Sequence, residues 1–339
     1  MIKRYSAGIQ RAKGLLEIAA GLYDSSLSHE TTRAAENVIQ TDTRVGRVVR
    51  LSLRTRPNEP KDEVSISFAT GSFREIIAVA DGKYSMVWIN PSVMLTMACR
   101  GKGPFRKKLP LKTIAVFPSW DVIGFAVHES TGITSLEQIA KEKFPLRIST
   151  GRIPKSDLTA SATMFTVSAV LKAAGFSLGH VRQWGGKLHV VPRPSDPRRR
   201  AAIESGEVNA VLDEGLKSWG QTALDHGFRY LPVDGIVLKR MMAYGYRPAR
   251  LTSAHFKGID REVPTLDFSG WPMIVHARMP NDVAYALCES IEKRRDLIPT
   301  DNYKPLDLAQ LCANDAEAPY DVPLHPGARR FYQERGYLT

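Results

Sequence analysis

Residues 64–75 read Val-Ser-Ile-Ser-Phe-Ala-Thr-Gly-Ser-Phe-Arg-Glu. Val64, Ile66 and Phe68 alternate with serines, the period of a strand with one buried face. Thr70-Gly71 stops the alternation. Ser72 and Glu75 then have the spacing of a capping box, which opens a helix. The stretch is a strand, a glycine turn and a helix. The same order returns at Leu146-Arg-Ile-Ser-Thr-Gly151, where a short strand again ends in Thr-Gly ahead of a helix. Alternating strands and helices predict an α/β fold with largely parallel sheets. Two copies predict two similar lobes with a cleft between them, ligands binding beyond the carboxyl ends of the strands.

Reading outward from the first copy, the helix runs to Asp81-Gly82 and residues 84–89 form a strand. Asn90-Pro91 starts the next helix, Asn90 being a good cap and proline being favoured in a first turn. Strands are expected at residues 113–117 and 122–127, and Ser135 with Gln138 forms another capping box. Beyond the second copy, Ser156 or Asp157 caps a long helix to Ala174. Residues 188–191 form a strand, 198–205 a helix, and 210–212 a strand that ends in Asp213-Glu214. Helices follow at 215–226, 236–245 and 280–295, with a strand at 273–277 and a last helix begun by Pro326. Upstream, residues 8–40 read as helix and 47–53 as a strand. The division expected is a helical extension at 1–60 packed on the first lobe, a first lobe of 61–125 plus 265–339, and a second lobe of 126–264.

Composition narrows the function classes. The chain has 339 residues, 43% hydrophobic and 24% charged, close to the globular average, which argues against a disordered, collagen-like or membrane-embedded protein. Its net charge is +12. Nucleic-acid binders gather such charge on one stripe; here it is spread along the chain. The densest runs, residues 100–108 and Arg198-Arg199-Arg200, read as solvated turns, so nucleic acid is not expected as a partner. Cys99, Cys288 and Cys312 make neither a zinc framework nor a disulfide scaffold. The eight histidines have no metal-like spacing, and no GxGxxG, P-loop, GxSxG or HExxH motif occurs. No metal and no cofactor is expected. Gln10, Arg11, Lys13 and Glu17 interrupt any apolar core of a leader peptide. As written, the chain is expected in the cytoplasm, with the periplasm as the alternative if the true start or processing differs. No uncharged stretch reaches the 18 or more residues of a spanning helix, so no membrane insertion is expected.

The candidate site residues lie at strand ends. At Thr70-Gly71-Ser72 a glycine admits a ligand close to the backbone, the hydroxyls donate, and a helix N-terminus offers free N–H groups to an anion. An ordinary capped turn has the same residues. Thr150-Gly151 repeats the arrangement, with Arg152 nearby as a counter-charge. Asn90-Pro91-Ser92 is a third such start, with Trp88 beside it. Asp213-Glu214 ends a fourth strand, where a carboxylate can bond a ligand's hydroxyl or amino groups or tie to an arginine. Adjacent strand residues point oppositely, which argues against a catalytic pair. Trp219 offers an apolar wall or packs in the core.

Taken in order, the landmarks resemble the TAXI family of TRAP-transporter solute receptors, within the type II periplasmic binding proteins. The matching pieces are Ala69-Thr70-Gly71-Ser72, then residues 81–92 from Asp81-Gly82 to Asn90-Pro91-Ser92. Next come residues 131–139 and Leu146-Arg-Ile-Ser-Thr-Gly151. Residues 203–211, Asp267-Phe-Ser-Gly-Trp-Pro272 and Pro323-Leu-His-Pro-Gly-Ala328 complete the set. The resemblance implies a two-lobed clamshell that closes on a small, often carboxylate-bearing solute, with TRAP membrane subunits as partners. It implies cleft positions at Thr70, Gly71, Ser72, Asn90, Thr150, Gly151 and Asp213, together with Trp88 and Trp219. The reading of the residues adds Ser92 and Arg152. Related clamshells also serve as enzymes, so the alternative is a cytosolic decarboxylase or hydrolase of an aromatic or dicarboxylic acid.

Overall fold

The computed structural model describes residues 72–154, 157–298 and 305–339 in full, and the backbone of three strands before them. Those three are β1 (Val38–Thr41), β2 (Val48–Leu53) and β3 (Asp62–Phe68). Then come α1 (Phe73–Ala80), β4 (Met86–Trp88), α2 (Val93–Arg100) and β5 (Leu111–Phe117). Next are β6 (Val122–His128), α3 (Leu136–Glu142), β7 (Arg147–Gly151), α4 (Ala162–Ala173) and α5 (Leu178–Gln183). They are followed by β8 (Lys187–Val191), α6 (Pro197–Glu204), β9 (Ala210–Asp213), α7 (Leu216–Asp225) and β10 (Phe228–Tyr230). The chain continues through α8 (Gly235–Tyr244), β11 (Pro248–Leu251), β12 (Val263–Asp267) and β13 (Trp271–His276). It finishes with α9 (Asn281–Lys293), α10 (Gln310–Ala313) and α11 (Pro326–Glu334).

These elements form two compact units. Unit 1 draws on Met1–Gly101, Phe105–Trp120 and Ser269–Thr339; unit 2 draws on Lys102–Pro104 and Asp121–Phe268. Each holds a sheet flanked by helices, as the α/β reading requires.

The sheet of unit 1 has the strand order β1-β2-β3-β4-β13-β5. Only β3 and β4 run parallel; the other pairs are antiparallel. Met273, Ile274 and Val275 of the inner strand β13 are fully buried. On α9, Ala284, Leu287, Cys288 and Ile291 face inward, the spacing of one helical stripe. They meet Phe331 and Tyr332 of α11 and Met86, Ile114 and Met273 of the sheet in one core. Each such aliphatic side chain contributes about 1.5–3 kcal/mol on burial. Gly327 lets α11 approach α9 closely, because a Cβ there would collide with the Asn281 carbonyl oxygen.

Unit 2 carries the order β11-β12-β6-β9-β7-β8, with β10 paired to β6. β7 runs parallel to β8 and β9, while β6 is antiparallel to β9, β10 and β12. The expectation of mostly parallel sheets is therefore corrected to mixed sheets. The cause is connectivity: β5 and β6 take the chain out of unit 1 and into unit 2, and β12 and β13 bring it back beside them. The returning strands β13 and β12 pair antiparallel with the outgoing strands β5 and β6.

Other local expectations are corrected as well. Of the predicted helix at 8–40, residues 38–40 belong to strand β1; the rest lies outside the described residues. The segment 1–60, expected as a helical extension, thus adds β1 and β2 to the sheet of unit 1. The long helix expected to begin at Ser156 or Asp157 is split. Asp157 caps a short 3-10 turn, and Ser161 caps α4, accepting from the Met164 amide. The helix expected at Asn90-Pro91 starts at Val93, with Ser92 at the cap position, while Asn90 Nδ2 donates to the Gly270 carbonyl. Helix α5 and strands β11 and β12 carry no expectation. Prolines 248 and 264 obscure the two strands in sequence, proline being a poor donor to a ladder.

Candidate functional site

The candidate residues fall into two sets, one on each unit. On unit 1, Thr70 and Gly71 lie outside the described residues. Ser72 is buried and caps α1, its hydroxyl accepting from the Arg74 amide at 3.3 Å. Trp88 is a core residue. Its Nε1 donates to the Trp271 carbonyl at 2.8 Å, and its ring centroid lies 4.4 Å from that of Phe117.

Asn90 and Ser92 meet the start of β13. Asn90 Nδ2 donates to the Gly270 carbonyl at 3.0 Å, and the Ser92 amide donates to the Ser269 carbonyl at 3.1 Å. Gly270 has φ 81°, and a Cβ there would collide with Ser92 Oγ. Only glycine satisfies both conditions at once. Ser92 is 4% exposed, and its hydroxyl has no hydrogen-bond partner among the described residues. A buried hydroxyl without a partner is uncommon and costly.

On unit 2 the candidates surround a residue that sequence reasoning assigned to a solvated turn. Arg199 is fully buried, and its guanidinium forms an ion pair with Asp213. Arg199 Nε donates to Ser149 Oγ at 3.2 Å, and Nη1 donates to the Pro194 carbonyl at 3.4 Å. His189 Nδ1 stands 3.2 Å from the same Ser149 oxygen. Asp213 also accepts from the Glu214 amide at 2.9 Å. Burial pushes its carboxyl up, against the pull of the guanidinium and that amide. A readable signal was present: in α6, Arg199, Ala202 and Ile203 are the buried positions, one inward stripe at helical spacing.

The remaining candidates support this pair or stand apart from it. Thr150 is buried and donates to the Leu212 carbonyl at 2.7 Å, tying β7 to β9. Trp219 Nε1 donates to the Glu214 carbonyl at 2.9 Å, and its ring centroid lies 5.9 Å from the Arg199 guanidinium carbon. Gly151 lies at the end of β7 near Asp213, where an added Cβ would stand 3.5 Å from Asp213 Oδ2. That distance is ordinary contact, so space alone does not require this glycine. Arg152 is exposed. Among the described residues no group of three or more His, Cys, Asp or Glu is placed to hold a metal, and no helix is long and apolar enough to cross a membrane.

Asp121, which the sequence did not mark, joins Glu214 in a second polar feature. Asp121 accepts from the Val122 amide at 2.8 Å and from the Gly215 amide at 3.1 Å. Burial, and then the neighbouring Glu214 carboxyl, push Asp121 well above the usual carboxylate range. Folded chains therefore keep a proton here that unfolded chains release near pH 4. The native state binds more protons above that pH, so stability falls as pH rises from about 4 toward the raised value. Asp213, pushed up by burial, adds in the same direction. Urea midpoints measured from pH 4 to 8 should decline, and Asp121→Asn should flatten the decline; an unchanged slope would refute the assignment.

No family model matches this chain. Solved structures similar to it include a TctC solute-binding protein from Polaromonas, at 13% identity and TM-score 0.35, covering 98% of this chain and 93% of that one. A glycine betaine/L-proline-binding protein, ProX, from Borrelia burgdorferi matches at 11% identity and TM-score 0.35, covering 69% and 84%. The ATP phosphoribosyl transferase HisG:HisZ complex from Thermotoga maritima matches at 10% identity and TM-score 0.33, covering 84% and 94%. The neighbours thus include both solute-binding proteins and an enzyme, at a distance that assigns neither role to this chain.

Proposed function

We propose that this protein binds a small organic anion, a carboxylate, in the manner of a solute receptor. The observation that carries the reading is the Ser92 hydroxyl, buried and without a partner among the described residues, in the turn that also holds Asn90. The hydroxyl is closed off from solvent, so it donates this bond to a ligand oxygen only as the atoms covering it move aside. The TAXI resemblance supports both the receptor role and TRAP membrane subunits as partners. Thr70 and Gly71 belong to the same proposed set.

Ser92→Ala separates binding from folding. Removing an unsatisfied buried hydroxyl should leave stability unchanged or raise it by about 1 kcal/mol, while the lost ligand bond lowers carboxylate affinity about tenfold. A thermal-shift panel of mono-, di- and aromatic carboxylates would identify the class, since a ligand that binds only the native state raises the midpoint. The proposal fails if no carboxylate shifts the midpoint, or if Ser92→Ala binds as well as the native protein. Recovery of a decarboxylated or hydrolysed product would instead favour an enzyme.

A further inference from the structure

Helices α4 and α8 of unit 2 enclose a concavity of about 450 Å³, within the size range of small-molecule sites. Three cations line it, Lys102, Lys172 and Arg240, along with Tyr244, Met241 and Ala173; among the described residues no acidic one does. Lys102 belongs to the short segment Lys102–Pro104 that is part of unit 2. Among the described residues neither lysine has a hydrogen-bond or ion-pair partner. Arg240 Nη1 donates to the Ala173 carbonyl at 2.9 Å. That bond anchors the guanidinium at the C-terminus of α4 and engages one of its five donors.

A helix C-terminus accounts for only part of this charge. Its dipole carries about half a negative charge, against three positive ones around the concavity. Like charges held together repel, and an oxyanion of charge −2 offsets them while using the planar fork of Arg240. Apolar surface is present as well: Met241 and Ala173 lie beside the cations, and Tyr244 is 37% exposed. We propose that this concavity is a second binding site, independent of the Ser92 site, for a small dianion with an apolar body. The shared chemistry is a phosphomonoester or dicarboxylate head on a flat or aliphatic group.

Calorimetric titration of the full chain with phenyl phosphate at low ionic strength tests the proposal, with phthalate as the dicarboxylate arm. Saturable binding of at least one probe is expected. Lys172→Glu should weaken it by about tenfold or more, and Arg240→Lys should weaken it because the fork is lost. Lys141→Glu, a charge reversal on the exposed face of α3, should leave it unchanged; circular dichroism checks that each variant is folded. Three results overturn the proposal: no saturable binding of either probe, equal loss in Lys172→Glu and Lys141→Glu, or loss on Ser92→Ala with none on Lys172→Glu.

Discussion

Replacing Arg199 with methionine should destabilise unit 2 by about 3–5 kcal/mol, the cost of leaving one charge of a buried ion pair alone. The Asp213 carboxylate would then keep only the Glu214 amide as partner, at 2.9 Å. The Ser149 hydroxyl and the Pro194 carbonyl would each lose a donor, and the face of Trp219 its cation. Urea unfolding at pH 7 checks the value. A double variant, Arg199→Met with Asp213→Leu, should recover much of the loss, because an apolar pair of similar volume carries no desolvation penalty. Arg198→Ala provides the contrast. Arg198 is exposed, and the Asp196 it pairs with still caps α6 through a backbone amide when the guanidinium is gone, so its removal should leave the midpoint nearly unchanged. If Arg199→Met is as mild as Arg198→Ala, the buried pair does not hold this unit together.

Trp88→Ala should cost unit 1 about 3–5 kcal/mol, as truncation of a large buried side chain does. The indole is 4% exposed. It packs against Phe117 and Trp271 and satisfies the Trp271 carbonyl. Trp88→Phe should lose less, retaining most of the ring volume but not the hydrogen bond. The TAXI resemblance implies instead a tryptophan that faces ligand. In that case Trp88→Ala would keep the unfolding midpoint and lose carboxylate affinity. Thermal unfolding with and without a bound carboxylate distinguishes the two roles.

Local chemistry was the legible part of this fold. Ser72 and Ser135 cap the helices predicted from their spacing, and Pro326 opens the last helix. Glycine and proline punctuation located most strands of the two units to within a few residues. Strand order was not legible. β13 pairs with β4 and β5, and no local pattern reports a partner more than 150 residues away. The candidate site was legible to the same degree. The strand ends at Asn90, Thr150 and Asp213 were found from turn residues. Their partners Gly270 and Arg199 were not, because a glycine between a serine and a tryptophan, or an arginine between two others, has no distinguishing local mark. Asp121 stayed hidden because its environment is made by Glu214 and Gly215, far along the chain.

The placement of β13 between β4 and β5 also bears on how the chain is made. A ribosome releases β5 long before residues 271–276, so the nascent unit 1 carries an unfilled gap in its sheet while all of unit 2 is synthesised. Apart from the short Lys102–Pro104 segment, unit 2 is one continuous run, Asp121–Phe268. Its two ends are joined by a hydrogen bond from the Phe268 amide to the Asp121 carbonyl at 2.9 Å. It can therefore close on itself during translation. Unit 1 must wait for its C-terminal third, and during that interval the open edges of β4 and β5 are templates for unwanted strand pairing. The last part of the chain to be made completes the first part to emerge.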